Sequence, residues 1–293
     1  MATNTIAGVN LAAVSQMSLP QLMNIFAPLG AIATDFSSDI SSAGASVTTR
    51  YPINPTAVDL SSGYSPQAVE TVAKTITLSN LYGFPYGFSD LERSKSAIDL
   101  NQLFVEPALQ ATGKKMFSDL WNTVTSSDFN AVSIAAANFD RSDLVDLRAQ
   151  LNALGAPQQG RAVVLNPTYF ASLVKSLNTA EFPGFIPEKT DAFIPRVAGF
   201  DVYESDLADA NGQGLQGFAF HKSALLMAAR RVDATGAQQM GTEIADVMVP
   251  GLNLPVQFRR FYDNLTANLI YSFGVLYGVQ AGRTEMGIRI TLP

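Results

Sequence analysis

Residues 82–126 read YGFPYGFSDLERSKSAIDLNQLFVEPALQATGKKMFSDLWNTVTS. The aromatic run Tyr82, Phe84, Tyr86 and Phe88 alternates with Gly and Pro as a strand does, which points to core or interface. FSDLERS closes it with a helix-start signal. Beyond it, Leu103, Phe104, Leu109, Met116, Phe117, Leu120, Trp121 and Val124 recur at three- and four-residue spacing, so they share one helical face. Asp99 as N-cap with Gln102 makes a weak capping box, and a helix from Asp99 to Ser126 would span roughly 40 Å. Pro107 falls inside it, removes the backbone bond to Leu103 and should kink the first third. Such a helix needs something large along its apolar face, with Met116, Phe117, Leu120 and Trp121 as its core.

The obvious partner is C-terminal. In TANLIYSFGVLYGVQAG, Leu269, Tyr271, Phe273, Val275, Tyr277 and Val279 fall on one face of a strand. Ser272, Gly274 and Gly278 fall on the other, where another backbone can approach closely. VQFRRFY precedes this segment, and MGIRITL alternates again through Met286, Ile288, Ile290 and Leu292.

Upstream of the aromatic run, SVTTRYPI (46–53) and ETVAKTITL (70–78) read as strands around NPTAVDLSSGYSPQ, a tip full of Pro, Gly and Ser. A two-stranded ribbon is marginal alone, so it should project and lean on a neighbour. Residues 1–45 are poor in charge and read as a docking arm, with a short helix through Leu19, Leu22, Met23, Phe26 and Leu29. Residues 130–245 mix helices (DRSDLVDLRAQLNAL, ended by Gly155 and Pro157; PTYFASLVKSL, with Pro167 in its first turn) with strands (RAVVLN, GFDVYES, GFAFHK, LLMAARRV). That mixture suggests a compact α/β domain, with a proline-bearing loop at 180–196.

At 293 residues and 47% hydrophobic content a real core is expected. Charged residues are only 15%. A surface rich in Ser, Thr and Asn would account for this, and so would coverage by other copies, because interfaces are depleted in Lys and Glu. A net charge of −6 excludes electrostatic coating of nucleic acid. The lack of cysteine excludes disulfides and thiolate metal sites. No Lys or Arg precedes Arg50 and no apolar run approaches the ~18 residues of a membrane span, so the chain reads as soluble and intracellular.

The literal GxGxxG at 212–217 follows a polar loop and precedes the strand FAF, so it reads as a turn rather than a dinucleotide site. DANG at 209–212 lacks the Glu that ends a calcium loop. GKK at 113–115 lacks a P-loop context. His221, the only histidine, has no GxSxG elbow to serve and should pack or cap beside a strand end. Asp140, Asp143 and Asp146 lie on one helical face, where they favour the helix N-terminus. The residues thus offer no catalytic, metal or cofactor site, and an α/β enzyme using carboxylates around 181–209 would need a pocket that shifts them.

FSDLERS with the long Pro-containing helix, PLGAIATDFS, the ribbon at 46–80, VVLNPTYFASLVKS, AGFDVYESD and GFAFHKSALLMA follow an order. In that order the chain resembles tailed-bacteriophage major capsid (coat) proteins of the Hong Kong 97-like fold, most of all the Salmonella phage coat-protein branch. The resemblance implies an α+β fold with an N-terminal arm (1–45), an extended loop (46–81), a peripheral domain with a spine helix (82–128 and 246–293) and an axial domain (129–245). It implies a structural subunit, not an enzyme. Such a subunit self-assembles as pentamers and hexamers into an icosahedral shell around double-stranded DNA, without sequence-specific contact. It would be assembled in the host cytoplasm and located in the virion. The arm starts at Met1, so a large N-terminal scaffolding region is not expected, and either a separate scaffolding protein or none is implied; a scaffolding protein, a portal and a decoration protein are candidate further partners, and no membrane is involved. Arg50, Tyr82, Phe84, Tyr86, Glu92 and Arg93 are the candidates for contacts between subunits. A nanocompartment shell holding a cargo enzyme is the alternative.

Overall fold

The computed structural model describes residues 27–32, 46–52, 57–61, 63–64, 68–95, 100–177, 196–206, 211–249 and 254–293, with backbone alone at 27–28 and 100–106. Asp99 and most of the first 45 residues, with the short helix expected there, lie outside the described residues.

Helix α1 covers Asp90–Lys95, and the long helix α2 covers Leu100–Trp121. Pro107 sits on an exposed turn of α2. The helix stops short of Ser126, the end expected from periodicity. Thr123 Oγ1 donates to the Leu120 carbonyl at 2.7 Å, and Asn211 Nδ2 donates to the Val124 carbonyl at 2.8 Å. Side chains thus take the carbonyls that another helical turn would have used. The apolar face holds nonetheless: Met116, Phe117, Leu120, Trp121 and Val124 are all buried.

This face lies on a five-stranded sheet built on β11 (Asn268–Ala281). The aromatic strand β3 (Asn80–Ser89) pairs along one edge of β11, Phe84 opposite Phe273 and Tyr86 opposite Tyr271. The other edge is shared: β10 (Leu254–Asp263) covers the first half and β8 (Leu225–Arg230) the second. β9 (Glu243–Val249) closes the far side against β10. Tyr271, Phe273, Val275 and Tyr277 are buried, as the alternation of β11 predicts.

The ribbon consists of β1 (Ser46–Pro52) and β2 (Thr71–Thr77), paired antiparallel with Val47 opposite Ile76. Its stem leans on the glycine-bearing face of the first sheet, where Val47 and Ile76 bury against Leu226 and Ala228. Gly278 permits this: a Cβ there would stand 2.1 Å from the Thr77 carbonyl oxygen.

The second sheet runs β4–β12–β7–β5–β6. Its strands are β4 (Asn130–Ser133), β5 (Arg161–Leu165), β6 (Asp201–Glu204), β7 (Leu215–His221) and β12 (Gly287–Thr291). β5 is buried throughout, as the run RAVVL fits a central strand covered on both faces. The short 3-10 helix Ala27–Ala31 packs on β5 through buried Leu29 and Ile32. Helix α3 (Arg141–Ala153) starts on the capping box of Asp140 and Asp143. It ends at Gly155, φ +78°, with the Ala156 N–H bonded to the Leu151 carbonyl. Helix α4 (Pro167–Ser176) is capped by Asn166, and a single-turn helix α5 covers Thr235–Gln239.

Strand pairing crosses the expected partition in two places. The C-terminal strand β12 was expected in the peripheral unit of 82–128 and 246–293, but it pairs in the second sheet, parallel to β4 and antiparallel to β7. Strand β8, from the expected axial segment 129–245, joins β11 in the first sheet. Alternation states which face of a strand is buried and is silent on which sheet receives it.

Candidate assembly surface

Where α2 crosses the first sheet, four side chains meet. Tyr277 donates its hydroxyl to Asp119 Oδ2 at 2.6 Å, and Lys115 Nζ donates to Asp119 Oδ1 at 2.5 Å. The Lys115 ammonium also stands 4.7 Å from the centre of the Tyr82 ring, in cation–π range. Burial, and then the hydrogen bond to Asp119, push the Tyr277 hydroxyl well above its ordinary pKa. The Asp119 bond holds the Lys115 ammonium above its own. These groups fix the helix on the sheet. Lys115 and Asp119 stand at i, i+4 on the helix, a spacing that the sequence carries; the sequence reading singled out neither this pair nor its tie to Tyr277.

The expected contact residues fall in three settings. Tyr82 and Phe84 lie on the edge strand β3, 41% and 45% exposed, with Leu81 exposed beside them. Tyr86 is half-buried and stacks on Tyr271 with centroids 5.6 Å apart, so its ring is used within the chain. Glu92 serves its own helix. It accepts from the Ser89 N–H and hydroxyl at 2.9 Å and caps α1, and those bonds hold its carboxyl below the usual range. Arg93 faces Asp90 at 4.0 Å on the same helix. Arg50 is exposed on β1 and makes no ion pair among the described residues. Trp121, Leu120, Phe117 and Met116 belong to the interior beneath this surface.

The ribbon's outer part, expected to project and lean on a neighbour, carries apolar side chains that the sequence reading did not name. Val58, Leu60, Tyr64 and Val69 are all exposed there, Tyr64 at 88%. Exposed apolar side chains grouped on a projecting element mark an interaction site. From Tyr51 to Ala73 the chain carries Asp59 and Glu70 and no basic residue.

The sites weighed for chemistry resolve structurally. Gly212 and Gly214 take φ +69° and +65° in the turn leading into β7, with no helix following. The neighbouring Asn211 caps the end of α2, and Gln213 Oε1 accepts from the Ser126 N–H at 2.7 Å. His221 ends β7 and is buried. Gly113, Lys114 and Lys115 lie inside α2. Asp209 and the segment 178–195 lie outside the described residues. Among the described residues no three His, Asp or Glu side chains gather as metal ligands, and no helix is long and apolar enough to cross a membrane. A shallow groove of about 200 Å³ opens over Gly83 and Gly274, lined by Leu81, Pro85, Gln257 and Arg259.

This arrangement matches solved structures along most of its length. A structure from Mycobacterium phage Che8 is similar at a TM-score of 0.61 and 18% identity, over 90% of each chain. The capsid structure of Cyanophage P-SCSP1u is similar at 0.62 and 11% identity, over 90% of this chain and 86% of the other. A virus-like particle from Pyrococcus furiosus is similar at 0.55 and 10% identity, over 94% and 98%. No protein-family model and no curated protein matches the chain. At these identities the likeness is one of fold, and the chain has the mixed helix-and-sheet fold of phage capsid proteins.

Proposed function

We propose that this chain is a structural shell subunit that assembles as pentamers and hexamers into an icosahedral particle enclosing double-stranded DNA. The observation that carries the reading is the fold likeness to phage capsid structures over about nine-tenths of the chain. The projecting ribbon with its exposed Val58, Leu60, Tyr64 and Val69 supports it, because the described residues supply no cover for those side chains. The edge residues Tyr82 and Phe84, with Arg50, are the remaining contact candidates. The order of segments along the sequence supports the Salmonella phage coat-protein branch of the Hong Kong 97-like fold. Scaffolding, portal and decoration proteins are the partners this reading brings, with assembly in the host cytoplasm.

A second reading, a nanocompartment around a cargo enzyme, is favoured by the similarity to the Pyrococcus furiosus virus-like particle. Electron microscopy of purified protein, supplied with a scaffold, tests both. Closed particles are expected. A species of 31.3 kDa alone under all conditions would overturn both readings, and particles from infected or expressing cells that hold a protein cargo and no DNA would favour the second.

A further inference from the structure

The chain passes between its two sheets twice within a short distance. The turn 222–224 carries it from β7 to β8, and the link 282–286 carries it from β11 to β12. The two crossings are tied together: the Gly282 N–H donates to the Ala224 carbonyl at 2.8 Å, and the Arg283 N–H donates to the Ser223 carbonyl at 3.0 Å. Gly282 is pressed into this tie, since a Cβ on it would stand 2.3 Å from the Ser223 carbonyl oxygen.

His221, the only imidazole in the chain, sits at the entrance to the first crossing and is buried. Its Nδ1 lies 2.8 Å from Ser223 Oγ and accepts from the Ser223 N–H at 3.3 Å. The Ser223 N–H aims at Nδ1, so a neutral ring with Nδ1 unprotonated accepts it; a proton on Nδ1 would keep the Ser223 hydroxyl as its acceptor but set N–H against the backbone N–H, which cannot turn away. The ring is also hydrogen-bonded to the Gln159 backbone in the loop before β5.

The surroundings are cationic. Arg161 stands directly across from His221 in the β5–β7 register, with its guanidinium spent on the carbonyls of Pro157 and Ala156 and on Asn152 Oδ1. Lys222 follows in the turn, and Arg283 comes from the second crossing. Glu285 is bound to Arg283 at 2.7 Å and is also acted on by Lys74 of the ribbon, while Tyr51 of the ribbon faces Arg283. Burial first, then Lys222, Arg161 and Arg283, hold the His221 pKa below the ordinary 6.5.

We propose that His221 is a proton-sensitive latch on the joint between the two sheets: neutral, it holds the Ser223 turn closed, and protonated, it repels that turn and frees both crossings. With the folded-state value below the unfolded one, the folded chain binds fewer protons. The latch is whole above about pH 6.5 and weakens as pH falls through that value. This device belongs to the subunit whatever particle it builds.

His221→Asn tests it, because Asn Oδ1 can accept from the Ser223 N–H and does not titrate. Melting of the full-length chain and of H221N is followed from about pH 7.5 to about pH 5.5, with hydrogen exchange at Gly282 and Arg283. Wild type is expected to lose melting temperature relative to H221N as pH falls. Its exchange at those two amides should rise by up to about tenfold per pH unit beyond the intrinsic change. A pH-independent difference between the two proteins would overturn the latch. If H221N does not fold, the single imidazole signal of wild type decides: a midpoint below 6.5 supports the latch, and one at or above 6.5 overturns it.

Discussion

Tyr277 in the C-terminal sheet and Asp119 on the long helix, 158 residues apart, share a hydrogen bond of 2.6 Å. It joins a fully buried phenol to a mostly buried carboxylate that also holds Lys115. Tyr277→Phe should therefore cost about 1.5–3 kcal/mol, the range for a hydrogen bond to a charged group. The folded phenol ionises above its ordinary value of 10. Its contribution is whole below that pH and is lost above it, so the penalty of Y277F should shrink in alkaline solution. Denaturant melts at neutral and alkaline pH measure both; an unchanged midpoint at neutral pH would mean the bond does not couple helix to sheet.

Trp121 closes the apolar face of the same helix and is buried, and its Nε1 has no hydrogen-bond partner among the described residues. Packing therefore dominates its contribution. Trp121→Ala should cost about 3–5 kcal/mol, read as a lowered unfolding midpoint. A loss below about 1 kcal/mol would place the core elsewhere.

The ribbon should matter for assembly more than for folding. Among the described residues of the ribbon, only the stem, through Val47 and Ile76, reaches a buried cluster. Deleting residues 54–68 should leave a cooperatively melting chain that forms no shells. Gly278→Ala should act at the stem, since the added Cβ meets the Thr77 backbone, and should make the ribbon easier to cleave by protease. Loss of the melting transition in the deletion would show that the ribbon belongs to the core.

The particle should be held without covalent cross-links. A Lys–Asn bond needs a neutral, buried lysine beside a carboxamide and a base. Lys74 is in the ribbon stem, the tip carries no lysine, and Lys95 is exposed at the end of α1. Particles boiled in detergent should run as one band near 31.3 kDa; a surviving ladder of multiples would refute this.

Periodicity made β11 and the buried face of α2 legible, because each repeats its pattern over several turns or pleats. β4 (NAVS) is too short for any period, and β9 (EIADVMV) mixes Glu and Asp into an edge strand, so neither was legible. The end of α2 depended on Asn211, remote in sequence, and the Glu92 cap competes with the intersubunit role expected from its exposed charge. Arg161, which opens the strand RAVVL, is buried and bonded to carbonyls of the loop before it. Such contacts are fixed by tertiary placement rather than local pattern.

Strand β12 lies between β4 and β7, in the interior of the second sheet rather than at its rim. During synthesis that sheet therefore has a gap: β4 and β7 emerge first and are not joined until residues 287–291 come between them. Until β12 joins, the half-built second sheet exposes two unpaired strand edges to other nascent chains. Truncation just before Gly287 would not shorten the sheet but split it, leaving β4 detached from β7, β5 and β6.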